Sequence, residues 1–203
     1  ADITSSPIAS SPSQAGFSLF TELDPEVSGI EFVHPIDTSH PLKYNYNGGY
    51  ASGGIAIGDL DGDGRPDIFV SGGAVDNVLY LQTEEPLVFE DATLVAPQLA
   101  GQGKWAAGVA FADIDADYDL DIYVCYFDEP NQLFINETTE PGKPRFREDA
   151  TSWGLAIQDA SFMPHFCDYD RDGDLDIYLT CEQYRDPDGQ PAEIPVDEVD
   201  GRY

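Results

Sequence analysis

Positive charge is what this chain has least of. Nine of its 203 residues are Lys or Arg, against 39 Asp and Glu, and the formal net charge is −30. Nucleic acid and anionic membrane surfaces are bound through basic patches, so neither is expected as a partner; cations and basic protein surfaces are favoured. No apolar run reaches 18 residues, which leaves nothing to insert across a membrane as a helix. The first residue is Ala1 rather than Met, as expected of a processed or trimmed chain. Three cysteines, Cys125, Cys167 and Cys181, allow at most one internal disulfide and leave an odd thiol; none has CxxC spacing, and they do not decide the compartment. Only three imidazoles, His34, His40 and His165, are available for general-base chemistry.

What the chain has in excess is aspartate, arranged in three copies of one nine-residue stretch: DLDGDGRPD at 59–67, DIDADYDLD at 113–121 and DYDRDGDLD at 168–176. Each places carboxylates at positions 1, 3, 5 and 9, and a tight turn folds such oxygens around one hard cation the size of calcium, which takes six to eight oxygen ligands. The expected ligands in the first copy are Asp59, Asp61, Asp63 and Asp67 with the carbonyl of Arg65. In the second they are Asp113, Asp115, Asp117 and Asp121 with the carbonyl of Asp119, and in the third Asp168, Asp170, Asp172 and Asp176 with the carbonyl of Asp174. At this Asp content, four prescribed aspartates arise by chance on the order of 0.05 times along the chain. Three occurrences whose first residues lie 54 and 55 apart are therefore a repeat, and up to three Ca²⁺ ions are expected.

An EF-hand is excluded. It needs a bidentate Glu at position 12 between two helices, and position 12 here is Val70, Val124 and Leu179. Each loop runs into DIFV, DIYV or DIYL, β-branched and aromatic stretches that read as strand. The loops therefore belong inside β-hairpins.

The repeat is wider than its loop. GIAIG (54–58), GVAFA (108–112) and MPHFC (163–167) precede the three copies as short apolar strands expected to be buried on both faces. NVLYLQ (77–82) and NQLFIN (131–136) follow as third strands, and FEDAT (89–93) and FREDAT (146–151) as fourth strands. Four antiparallel strands per unit of about 55 residues is the composition of a β-propeller blade. The expected organisation is a Ser/Pro-rich linker or tail over 1–16, an N-terminal strand or hairpin lead-in over 17–50, and repeats over 51–203, with blades at about 51–93 and 105–151 and an incomplete one at 161–203. The third unit lacks the Asn-x-Leu-Tyr strand and carries the turn-rich DPDGQP (186–191) instead. Propellers close with roughly four to eight blades, so the chain reads as one piece of a longer closed molecule.

GIAIGDLDGDGRPDIFV (54–70), followed by Asn77-Val-Leu-Tyr80 and FEDAT (89–93), resembles the FG-GAP or VCBS repeat. With FTEL (20–23) and GIEFVH (29–34) ahead of it, the arrangement looks most like the propeller of the cartilage acidic protein and ASPIC/UnbV group. The resemblance covers about residues 17–181. It implies a seven-bladed all-β propeller, secreted or surface-displayed, with calcium bracing the blade loops. Two departures stand out: position 6 of the loop is Tyr118 in the second copy where the others have Gly64 and Gly173, and Met163-Pro164 replaces the glycine that opens the first strand, which should distort the second loop and bend the third strand.

The function expected on these grounds is a calcium-stabilised binding or adhesion scaffold. It would be secreted, extracellular or at the cell surface, or periplasmic in a bacterium, where calcium is plentiful enough to fill sites of modest affinity. Its partners would be a protein or glycan ligand, a basic one being favoured by charge, and the remaining propeller blades of the same or another chain. The alternatives are a carbohydrate-active propeller, lyase or lectin, and a structural segment of a larger secreted assembly. For a lyase, His165 stands where the other repeats have Ala56 and Ala110, but a hydrogen-bonded buried histidine accounts for it as well. Trp105 and Trp153 could stack on sugars or pack between blades. Asn136-Glu-Thr138 is a formal glycosylation acceptor.

Overall fold

The computed structural model describes residues 22–47 and 53–181; the tail over 1–16, the turn-rich segment 186–191 and the rest of the third unit beyond 181 lie outside the described residues. The described chain is all-β. Its ten strands are β1 (Ile55–Gly58), β2 (Asp67–Val70), β3 (Val78–Gln82), β4 (Phe89–Asp91), β5 (Ala106–Ala112), β6 (Asp121–Pro130), β7 (Gln132–Asn136), β8 (Phe146–Glu148), β9 (Gln158–Cys167) and β10 (Asp176–Cys181). The only α-helix among the described residues is the single turn Pro25–Ser28. Among the described residues no helix is long and apolar enough to cross a membrane.

All pairings among the described strands are antiparallel. The first sheet runs β1-β2-β3-β4 in sequence order, and β5, β6, β7 and β8 repeat that order in the second. Strand β6 is long enough to serve two neighbours: residues 121–126 face β5, and its far end pairs with β9 at Phe127↔Ala160 and Pro130↔Gln158. Strand β9 in turn pairs with β10, so the third repeat is hydrogen-bonded to the second.

Side-chain alternation along β6 and β7 decides how the sheets stack. Ile122, Val124, Tyr126 and Phe134 point to one face and join Leu60, Phe69 and Leu79 of the first repeat in one buried cluster. Tyr123, Cys125, Leu133 and Ile135 point to the other and meet Phe166, Ile177 and Leu179 of the third. A period of two thus gives the middle repeat two buried faces from one strand set. Strand β5 is accordingly buried almost throughout, whereas Ile55 and Ile57 of β1 are each 65% exposed and β9 is only partly covered. Burial of the first strand on both faces, expected of all three repeats, holds only where a repeat has a described neighbour on each side.

Glycine sets the spacing between repeats. A Cβ on Gly108 would lie 2.2 Å from the carbonyl oxygen of Phe162, and one on Gly54 would lie 3.0 Å from the amide nitrogen of Val109. Two asparagines in equivalent places, Asn77 and Asn131, fasten the same junctions. The Asn77 amide donates to Tyr126 Oη (3.2 Å) and the Asn131 amide to Ser161 Oγ (3.0 Å), while their carbonyls accept from Gly72 N and Tyr126 N.

The strand or hairpin expected over 17–50 is not formed in its described part. Asp24 caps a helical turn by accepting from Glu26 N at 3.0 Å, Pro25 opens it, and Gly29 at φ 75° closes it. Pro35 and Pro41 have no N–H to give a ladder, and Lys43–Asn47 forms a 3₁₀ turn. Ile30 and Phe32 nevertheless pack on Val70, Tyr80 and Phe89. Their alternation records contact with a sheet face, not membership of a sheet. Pro164, where a bend is expected, pairs in register with Leu179; the register shift of this hairpin lies further on, between the Met163↔Thr180 and Ser161↔Cys181 pairs.

Candidate metal centre

Each nine-residue stretch connects the first two strands of its repeat, and its ninth residue is paired with the residue just before its first: Gly58↔Asp67, Ala112↔Asp121 and Cys167↔Asp176. The hairpin register therefore brings both ends of every loop together.

The ninth carboxylate is the clip. Asp67 is fully buried and accepts from Leu60 N (2.9 Å) with Oδ2 and from Gln82 N (3.0 Å) with Oδ1. Asp121, also fully buried, accepts from Ile114 N (2.8 Å) and Asn136 N (2.8 Å) in the same way. Asp176 accepts from Tyr169 N at 2.7 Å. In the first two repeats one side chain thus ties the start of the loop and the end of the third strand to the second strand, and in the third Asp176 makes the tie to the start of its loop. Burial pushes both Asp67 and Asp121 up to about 6 despite these donors.

The first carboxylate organises the interior. Asp59 accepts from Gly62 N, Asp63 N and Gly64 N, and Asp113 accepts from Asp117 N and Tyr118 N. Wrapping the chain this tightly demands positive φ at positions 4 and 6 of every copy: Gly62 (74°) and Gly64 (87°), Ala116 (61°) and Tyr118 (77°), Arg171 (64°) and Gly173 (100°). The second loop is thus not distorted by Tyr118. It adopts the same backbone with two residues that pay a steric cost there.

Carboxylate oxygens within 4.8 Å of one another come from Asp59, Asp61 and Asp67 in the first loop, Asp113, Asp115 and Asp117 in the second, and Asp168, Asp170 and Asp176 in the third. Asp63 stands apart because the Arg65 guanidinium pairs with it and also donates to Gln82 O. Asp172 and Asp174 lie along the outside of their loop, where Asp174 N donates to Asp172 Oδ1. Burial, followed by repulsion from Asp117 and Asp121, pushes Asp119 up to about 7, and its Oδ1 is buried with no hydrogen-bond partner among the described residues. Burial also raises Asp61 and Asp115, again with neighbouring aspartates adding to the shift.

Hard oxygen donors crowded together, an orphaned buried carboxylate oxygen and carboxyls held above their ordinary range form a donor set that fits a hard divalent cation. Of the residues named by spacing, three carboxylates in each loop are brought together: Asp59, Asp61 and Asp67, then Asp113, Asp115 and Asp117, then Asp168, Asp170 and Asp176. Sequence reasoning missed the partners of the clip, Leu60, Gln82, Ile114 and Asn136. An available signal was that Gln82 and Asn136 each follow their clip aspartate by 15 residues.

The sequence pattern of the FG-GAP-like repeat matches residues 59–124, from the first loop through its equivalent in the next repeat. Over that stretch the chain is similar to an FG-GAP-like repeat. Its antiparallel four-stranded units are accordingly those of a propeller-type fold. Among curated proteins the chain is 28% identical over 142 residues to "Cartilage acidic protein 1" of Xenopus tropicalis, covering 70% of this chain and 21% of that protein. It is 27% identical over 168 residues to "Cartilage acidic protein 1" of Homo sapiens, covering 81% and 24%. The chain thus spans about a fifth to a quarter of the length of these relatives.

The remaining sequence candidates fall as follows. His165 is exposed on β9 opposite Tyr178, so the buried histidine considered for this position is not what the fold makes of it. Trp105 is 2% exposed and packs with Ala107 and Ala160 between repeats, edge-on to His40 and Tyr46, while Trp153 is 44% exposed. The cysteines are free, Cys125 buried and Cys167 and Cys181 exposed. Asn136 is 3% exposed and its amide nitrogen donates to two carbonyls, which withdraws the formal glycosylation acceptor from solvent.

Proposed function

We propose that this chain is a calcium-binding part of an extracellular propeller scaffold, in which Ca²⁺ in the three hairpin loops braces the repeats and the propeller surface carries a protein or glycan ligand. The observation that supports it most is the equivalence of the three loops: the same clip at position 9, the same positive φ at positions 4 and 6, and carboxylates converging in each. The converging carboxylates, Asp59, Asp61 and Asp67 in the first loop, Asp113, Asp115 and Asp117 in the second and Asp168, Asp170 and Asp176 in the third, would hold the ion. Asp63, Asp121 and Asp172 with the carbonyls of Arg65, Asp119 and Asp174 would complete the shell. Bound there, calcium supplies positive charge to carboxylates that otherwise repel one another, and it stabilises the fold because the unfolded chain has no such site.

Exposed Ile55 and Ile57 on one flank and Tyr178 on the other fit the reading that further blades, of this or another chain, continue the propeller. A net charge of −30 favours basic partners and fits a secreted or surface-displayed protein. The test is thermal unfolding of chelator-stripped protein against added Ca²⁺, with Mg²⁺ as control. A melting temperature that climbs with Ca²⁺ and far less with Mg²⁺ is expected; an unchanged melting temperature in millimolar Ca²⁺ would refute the metal role.

A further inference from the structure

Asn136 is placed where no single loop requires it. Its backbone N–H donates to Oδ1 of Asp121, the clip of the second loop, at 2.8 Å. Its side-chain amide donates to Leu120 O in that loop at 3.1 Å and to Leu60 O in the first loop at 2.9 Å. Its own Oδ1 accepts from Thr138 N at 3.1 Å, which fixes the amide's orientation, and the turn that follows sends Gly142 N to Asp61 O at 3.3 Å. A buried side chain with both amide donors engaged cannot release one carbonyl without leaving a donor unpaired.

The consequence is mechanical. Leu60 O belongs to the peptide that leads into Asp61, and Leu120 O to the peptide that leads into Asp121, so one amide group orients the backbone of a cluster carboxylate in one repeat and of the clip carboxylate in the next. Loops whose geometry is shared in this way should not fill independently. Resting on the metal reading given above, we infer that the first and second loops bind divalent cations as a coupled pair, and that Asn136 is the positioning residue that couples them.

The loops carry their own reporters. Tyr118 lies in the second loop and Tyr169 in the third, and Tyr118 also lines the cleft it shares with Asp59 and Asp61, so in a Tyr169→Phe background the second loop is read as the part of the tyrosine-sensitised Tb³⁺ luminescence that Asp113→Asn and Asp115→Asn remove. The experiment titrates Tb³⁺ with the first loop intact and with it disabled by Asp59→Asn and Asp61→Asn, each in the presence of Asn136 and in Asn136→Ala. With Asn136 present, disabling the first loop should weaken the second by roughly fivefold or more, the low end of common coupling between sites. In Asn136→Ala that ratio should fall close to one. Asn136→Ser, smaller but still a donor, keeps the cycle available should the alanine variant not fold. A second-loop affinity indifferent to the state of the first, with Asn136 intact, overturns the coupling. A coupling ratio unchanged in both Asn136 variants overturns the residue's role. Absence of any luminescence that Asp113→Asn and Asp115→Asn abolish would instead overturn the metal reading on which the coupling rests.

Discussion

Replacing Gly108 with alanine tests how the repeats are stacked. The added Cβ would sit 2.2 Å from Phe162 O, 3.0 Å from Met163 Cα and 3.1 Å from Phe162 C, all backbone atoms of β9 that no rotamer change can move aside. Relief requires β5 and β9 to separate by close to 1 Å, which loosens contacts across the junction sealed by Trp105, Ala107 and Ala160. Overpacking of this kind costs about 1–3 kcal/mol, and the absence of flexible atoms at the clash places Gly108→Ala at the upper end. Gly108 does not have positive φ, so the substitution also gains about 0.5–1 kcal/mol from a stiffer unfolded chain. The net expectation is a loss of about 2 kcal/mol, or roughly 4–8 °C in melting temperature for a domain of this size. Gly54→Ala is the matched control: its nearest contact would be 3.0 Å, so it should cost less than half as much. Thermal and urea unfolding of both variants at fixed Ca²⁺ decide the matter. A Gly108→Ala protein as stable as the parent, or a Gly54→Ala protein hurt more, would show that β5 and β9 do not approach through this glycine.

Removing the clip with Asp121→Ala leaves the part-buried N–H of Ile114 and the buried N–H of Asn136 without their acceptor and should cost about 2–4 kcal/mol by urea unfolding in chelator; a loss under 1 kcal/mol would contradict the clip's role. Tyr118 holds φ 77° while 97% exposed, so Tyr118→Gly should raise stability by about 0.5–1 kcal/mol, and a fall in melting temperature would mean that the ring makes contacts the fold needs. The pH dependence follows from Asp67 and Asp121 at about 6 and Asp119 at about 7, all above the ordinary 3.8. Their folded forms bind protons more tightly than the unfolded chain. In chelator, stability should therefore rise as pH falls from about 7.5 towards 4 and be lost as pH climbs through 6 to 7, by on the order of 2–3 kcal/mol for each of the two clips. Calcium should reverse that order, since protons compete for its ligands; a metal-free protein that melts higher at pH 8 than at pH 5 would disprove the assignment. Expression through a eukaryotic secretory pathway should yield no glycan on Asn136, which mass spectrometry of the 131–147 region reads directly.

Local pattern was sufficient for whatever repeats within nine residues or alternates along one strand. The spacing 1, 3, 5, 9 located all three loops, and the apolar flanks placed them inside hairpins, because a strand's side-chain period and a turn's carboxylate spacing are properties of a short stretch of chain. The strands after each loop, and the asparagine that opens the third strand, were equally legible in DIFV, DIYV, NVLY and NQLF. What lies between repeats was not. Position 2 of the loop is Leu60, Ile114 and Tyr169, three residues of similar apolar character; the first is fully buried against the second repeat, the second packs towards the third, and Tyr169 is 81% exposed. Only the presence of a neighbouring sheet separates those fates. The same holds for Asn136, whose partner Leu60 lies 76 residues away. Sequence by itself determined the loops and the strands that hold them, because those depend on neighbours along the chain. Tertiary structure alone decided which carboxylates converge and which amide joins two loops, because those depend on which sheet comes to rest against which.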